Sequence, residues 1–247
     1  MDRERVIVVD GAWRLSAMDP ERVEVREFCA NAAKVIVDDI AEGKSNLSRE
    51  ELIDDVEDDC LAQLLVYDKV IPESWKDWGT EVDFIEITVA VSYSDTFRIS
   101  AENIPATGYS DGMHINISIP PVKEGNLRPW EELELPLKSE IEISIRHELE
   151  HIFQTDFRYF VDRDEYDIVK ECELETPMGN YLMIPEEVSA HIMGFDQVSK
   201  SREDLLFHID VLIGEYLQSK HITKNDAILV RSCWRDWIDR NVQILAA

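Results

Sequence analysis

Between Arg146 and Gln154 the chain reads Arg-His-Glu-Leu-Glu-His-Ile-Phe-Gln. On a helix turning about 100° per residue, His147 and His151 would stand about 40° apart on one face, one turn above the other. Two imidazoles in that arrangement can bind one metal ion, and a neighbouring carboxylate can take a proton from a metal-bound water. This is the HExxH pattern, with Glu148 in the position of the base. Read in reverse as HxxEH, the same five residues offer Glu150 instead. The line midway between the histidines falls about 20° past His147, and the two glutamates lie about 80° to either side of it. Angle alone does not choose between them, and the motif still needs a third ligand.

The third ligand is sought downstream, in Tyr181-Leu-Met-Ile-Pro185-Glu-Glu187-Val-Ser-Ala190. Pro185 suits a helix start and puts Glu187 in the first turns. Ala190, three residues on, is small enough for two helices to approach closely. Glu186 competes as a ligand but points about 100° away, and Ala190 favours Glu187. Taken alone, Glu187 is equally a first-turn carboxylate favoured by the helix dipole. His191 lies four residues after Glu187 on the same face, as a catalytic candidate, a supporting group or an alternative ligand. His208 and Tyr216 read more readily as structural, His114 as a solvent-facing strand residue, and Trp234 and Trp237 as core or interface.

These residues require elements to hold them. A short strand is expected at Arg5 to Asp10. Asp19-Pro20-Glu21 opens a helix to about Glu42-Gly43, and the box Ser48 to Glu51 opens a second reaching about Tyr67. The pattern then turns to strands: Asp83 to Ser92, Thr96 to Ser100, and Met113 to Ile119 with strict alternation. The last carries Met113, Ile115, Ile117 and Ile119 on one face and His114, Asn116 and Ser118 on the other. Its polar face and the Pro120-Pro121 stop suggest a sheet edge. Helices resume at Ser139, boxed with Glu142, to about Thr155. Others are expected from Pro185 to Ser199, Ser201 to Ser219 and Thr223 to Ile244, the last with a Thr223/Asp226 box.

His147-Glu148-Leu149-Glu150-His151 followed by Glu187-Val-Ser-Ala190 resembles the gluzincin metallopeptidases, whose third zinc ligand is the glutamate of a downstream helical ExxA-type motif. The frame from Tyr181 to Ala190 is similar to the Y…PxExxA segment of small HExxH proteins encoded by phages and other viruses. The likeness spans about Met113 to Phe195. It implies an α+β, zincin-like fold: a small mixed sheet with the active-site helix, a mostly helical C-terminal lobe and a helical N-terminal region. In domain terms that is 1–80, 81–155 with the edge strand and HExxH helix, and 156–247 with the third ligand. The implied activity is Zn2+-dependent peptide hydrolysis, with His147, His151 and Glu187 as ligands, Glu148 as base and His191 as a further catalytic residue. An extended peptide would add to the edge strand by main-chain hydrogen bonds. Metzincin spacing does not fit, since Gln154 and Phe157 stand where Gly and His are required.

Composition bounds the rest. The 247 residues carry 25 Lys and Arg against 52 Asp and Glu, a net charge of −27. That argues against a nucleic-acid binder and against a polybasic membrane-surface protein. For the peptide or protein substrate that the resemblance implies, it makes a basic one attractive. No stretch approaches the roughly 18 apolar residues of a membrane span, and VIVV near the start is too short for a signal segment. Cys29, Cys60, Cys172 and Cys233 are scattered, as for ordinary thiols in a reducing cytoplasm; the resemblance to virus-encoded proteins implies that of a virus-infected cell, or a virion. Two other functions compete: a structural or virion-associated protein that keeps a metal site without turnover, and an acidic mimic of nucleic acid.

Overall fold

The computed structural model describes residues 20–46, 61–72, 84–93, 97–104, 110–119, 128–156 and 174–241. The strand expected at Arg5 to Asp10, the Ser48 box, Cys60 and Cys172 lie outside them. The described residues form a mixed α+β arrangement. Its elements are α1 (Pro20–Asn46), β1 (Leu61–Val70), β2 (Phe84–Tyr93), β3 (Arg98–Ile104), β4 (Ser110–Ile119), α2 (Arg128–Asp156), α3 (Pro177–Tyr181), α4 (Pro185–Val198), α5 (Arg202–Gln218) and α6 (Lys224–Asn241). None of these helices is long and apolar enough to cross a membrane. The chain divides into two units, one comprising residues 27–148 and the other residues from 149 onward together with the start of α1.

In the first unit a four-stranded sheet runs in the order β1-β2-β4-β3. β1 is antiparallel to β2, β2 parallel to β4, and β3 antiparallel to β4. The alternation in sequence becomes a one-sided sheet. Ile85, Ile87, Val89 and Val91 of β2 are buried, as are Met113, Ile115, Ile117 and Ile119 of β4, and Ile87 faces Met113 across the ladder. The other face of β4 is polar, with His114 Nε2 and Asn116 Oδ1 3.0 Å apart. α1 buries Cys29, Ala32, Ala33, Ile36, Val37 and Ile40, the stripe its helical period requires. Asp39 on that helix accepts a hydrogen bond from Tyr67 of β1 at 2.8 Å. Burial, and then this bond, push the Tyr67 hydroxyl above its ordinary pKa. Burial also pushes the Cys29 thiol up to about 12, so it stays protonated.

Three expectations are corrected here. Residues 61–67, read as the end of a helix, form β1. Leu-Ala-Gln-Leu-Leu-Val-Tyr suits either period, and pairing with β2 settles it, Leu65 opposite Val89 and Tyr67 opposite Ile87. Met113 to Ile119 is no edge strand, because β4 is bonded on both sides and, among the described strands, the outer ones are β1 and β3. Its polar residues mark an outward face, which an interior strand of a one-sided sheet also has. The HExxH helix begins at Arg128 instead of Ser139 and runs through Pro136, so Ser139 caps nothing.

In the second unit α4 and α5 follow the boundaries expected for them and α6 the expected start, while its expected end at Ile244 lies outside the described residues. Ser201 caps α5, accepting from the Asp204 N–H at 3.1 Å. Thr223 and Asp226 exchange reciprocal cap bonds, each 3.1 Å, at the start of α6. The buried carboxylate of Asp226 also accepts from the Glu175 N–H and the Thr176 hydroxyl, both at 2.8 Å, binding the segment before α3 to α6. Gly179 packs closely there: a Cβ would stand 3.0 Å from both the Asp226 carboxyl carbon and the Thr176 hydroxyl, so these side chains would have to shift. Arg26 at the start of α1 donates to the Asp196 backbone carbonyl at 2.6 Å and to its carboxylate at 3.0 Å.

Candidate metal centre

The HExxH residues sit on a helix whose buried stripe is Leu137, Ile141, Ile145, Leu149 and Ile152. That stripe fixes the rotation of α2 and leaves His147 and His151, both half-buried, about 100–140° round the helix from it. Glu148 and Glu150 are 4 % and 2 % exposed. Burial therefore separates the two candidate bases no better than helical angle does.

Glu187 and His191 come from α4, which Pro185 starts. Val188, Ala190, Ile192 and Phe195 of that helix are buried. Glu187 Oε1 lies 3.6 Å from His151 Nε2. Two ligand atoms each about 2.1 Å from a tetrahedral ion stand about 3.4 Å apart, so this pair is close to the spacing one divalent cation needs. His147, Glu187 and His191 each offer a ligand atom, and these three atoms lie within 4.8 Å of one another. This His/Glu/His cluster could hold a metal ion. Of the three residues expected as ligands, this cluster contains His147 and Glu187 and not His151, and His191 takes the third place in it.

The surroundings hold these groups in place. The His191 ring stacks on Trp234 (centroids 5.4 Å, 26°) and on Phe195 (6.4 Å, 23°), with Tyr181 edge-on at 6.4 Å. Burial, and then the neighbouring His151, lower the His191 imidazole to a pKa of about 4. It is therefore neutral at pH 7, the form in which imidazole binds metals. Trp234 is itself buried and donates from Nε1 to the Leu182 carbonyl at 2.7 Å. Tyr181 donates to Glu187 Oε2 at 2.6 Å.

The Tyr181 and Trp234 roles were not assigned from sequence. Tyr181 had a signal, its place six residues before Glu187, whereas the Trp234 contact joins segments distant in the chain. Glu186 is half-buried at the start of the same helix. His208 stacks on Phe195 at 5.7 Å and Tyr216 packs against His221 at 6.1 Å, both ordinary packing contacts. Comparison with protein-family models, curated proteins and solved structures gives no match.

Proposed function

We propose that the protein is a zinc-dependent peptidase in which His147, His151 and Glu187 hold the ion and Glu148 is the general base. The observation that carries this reading is the 3.6 Å approach of Glu187 Oε1 to His151 Nε2 within an HExxH helix. Two imidazoles and one carboxylate form a donor set that zinc takes in hydrolytic sites, leaving a position for water. Bound there, zinc would lower the pKa of that water and polarise a peptide carbonyl. Glu148, next to His147 in the chain, accepts the water proton and passes it to the leaving amine. His191, neutral through burial, supplies an N–H to the carbonyl oxygen as negative charge develops on it. The gluzincin-like pairing of HExxH with Glu187-Val-Ser-Ala190 supports the same assignment.

A peptide-library digest tests it. The zinc-loaded protein should cleave, and Glu148→Gln should lower the rate by about 100-fold or more at unchanged zinc content. Equal cleavage by the Gln variant would overturn the assignment of the base.

A second reading rests on His191. Should it join His147, His151 and Glu187 on the ion, four protein donors would close the coordination sphere, as in structural zinc sites. Tightly held zinc with no cleavage of any peptide would favour that reading.

A further inference from the structure

The two oxygens of the Glu187 carboxylate face different partners. Oε2 accepts the Tyr181 hydroxyl at 2.6 Å, while Oε1 faces His151 Nε2 at 3.6 Å. An O–H···O− bond of this length is among the strong ones, and it holds the carboxylate in one rotation. The donor is anchored as well. Tyr181 ends α3, and the turn leading to α4 is closed by the Met183 N–H on the Asn180 carbonyl (3.1 Å) and the Ile184 N–H on the Tyr181 carbonyl (3.0 Å). Trp234 fixes the same turn through the Leu182 carbonyl.

We propose that Tyr181 is a positioning residue that engages Glu187 Oε2, so that Glu187 binds a metal ion through Oε1 alone. The inference rests on the reading of Glu187 as a ligand and adds to it how many coordination positions that ligand takes. A carboxylate free to use both oxygens can occupy two positions on the ion. One oxygen held by Tyr181 keeps the second position for water or a substrate carbonyl. Hydrogen bonds of this kind to ligating carboxylates typically set metal affinity as well as orientation.

The test uses Tyr181→Phe, which keeps the ring edge against His191 and removes only the hydroxyl from a residue that is 37 % exposed. Co2+ serves as the probe, because its visible absorption weakens as coordination rises from four to five. The wild type should show the intense four-coordinate bands. Tyr181→Phe should show weaker bands and bind Zn2+ about 10- to 100-fold less tightly, a loss larger than any drop in the thermal midpoint of the metal-free protein accounts for. An unchanged spectrum and unchanged Zn2+ affinity in Tyr181→Phe would overturn the proposal while leaving the metal site standing. So would a loss of affinity that only tracks a lowered midpoint of the metal-free protein, which is what a packing role gives. A wild type that binds neither ion would instead refute the reading on which the proposal rests.

Discussion

The Trp234 indole lies nearly parallel to the His191 imidazole, 26° between planes and 5.4 Å between centroids, while its N–H holds the Leu182 carbonyl at 2.7 Å. One buried side chain thus backs a candidate catalytic ring and fixes the turn that leads into the Glu187 helix.

Trp234→Phe keeps a ring behind His191 but leaves the Leu182 carbonyl without its indole donor. It should lower the free energy of unfolding by about 1–3 kcal/mol. Trp234→Ala removes the ring as well and should cost about 3–5 kcal/mol. Urea denaturation of the metal-free proteins measures both. Equal stability of the Phe variant and the wild type would mean that the indole N–H contributes nothing at Leu182.

Asp226 gives a pH-dependent contribution of defined sign. Burial raises its pKa, but the bonds from the Thr176 hydroxyl, the Glu175 N–H and Thr223 outweigh that and leave it below the ordinary 3.8. A carboxylate depressed on folding stabilises the fold above its unfolded pKa, and the contribution is lost as pH falls through the folded value. Asp226→Asn should therefore be less stable than wild type by about 1–3 kcal/mol at pH 7, with the gap closing below about pH 4. Gly179→Ala should destabilise the same joint at every pH, because the added methyl meets Asp226 and Thr176. Denaturation curves at pH 7 and pH 3 separate the two effects.

Lys220 carries a positive φ of 62° just past the end of α5. The His221 N–H reaches the Tyr216 carbonyl at 2.9 Å and the Lys220 N–H the Leu217 carbonyl at 3.2 Å, the paired bonds of a Schellman cap. A left-handed residue at that place is most easily glycine. Lys220→Gly should raise the thermal midpoint, by the equivalent of about 0.5–1 kcal/mol. A lowered midpoint would show that the Lys220 side chain contributes more than its backbone strain costs.

Much of the fold follows from local pattern. The starts of α1 and α4 were legible from Pro20 and Pro185, and the α6 box from Thr223 and Asp226, because prolines and caps act within a few residues. The faces of β2 and β4 were legible from strict alternation. What failed depends on distant partners. Leu61 to Tyr67 becomes a strand only because Phe84 to Tyr93 pairs with it, and β4 becomes interior only because β3 takes the far side. Pro136 reads locally as a breaker, yet Leu137, Ile141 and Ile145 are buried on its helix, and that packing carries α2 through the missing N–H bond. At the candidate site the spacing of His147, His151 and Glu187 was legible as a motif. The Tyr181 bond and the rings around His191 were not, since they depend on how α3, α4 and α6 pack.

The central claim is that His147, His151 and Glu187 together hold a zinc ion. Metal analysis of the purified protein, wild type beside His147→Ala and Glu187→Ala, tests it most directly. The account predicts one zinc per chain in the wild type and a substantial loss in each variant that remains folded. Full zinc retention in Glu187→Ala, or no metal in the wild type after zinc is supplied, would contradict it.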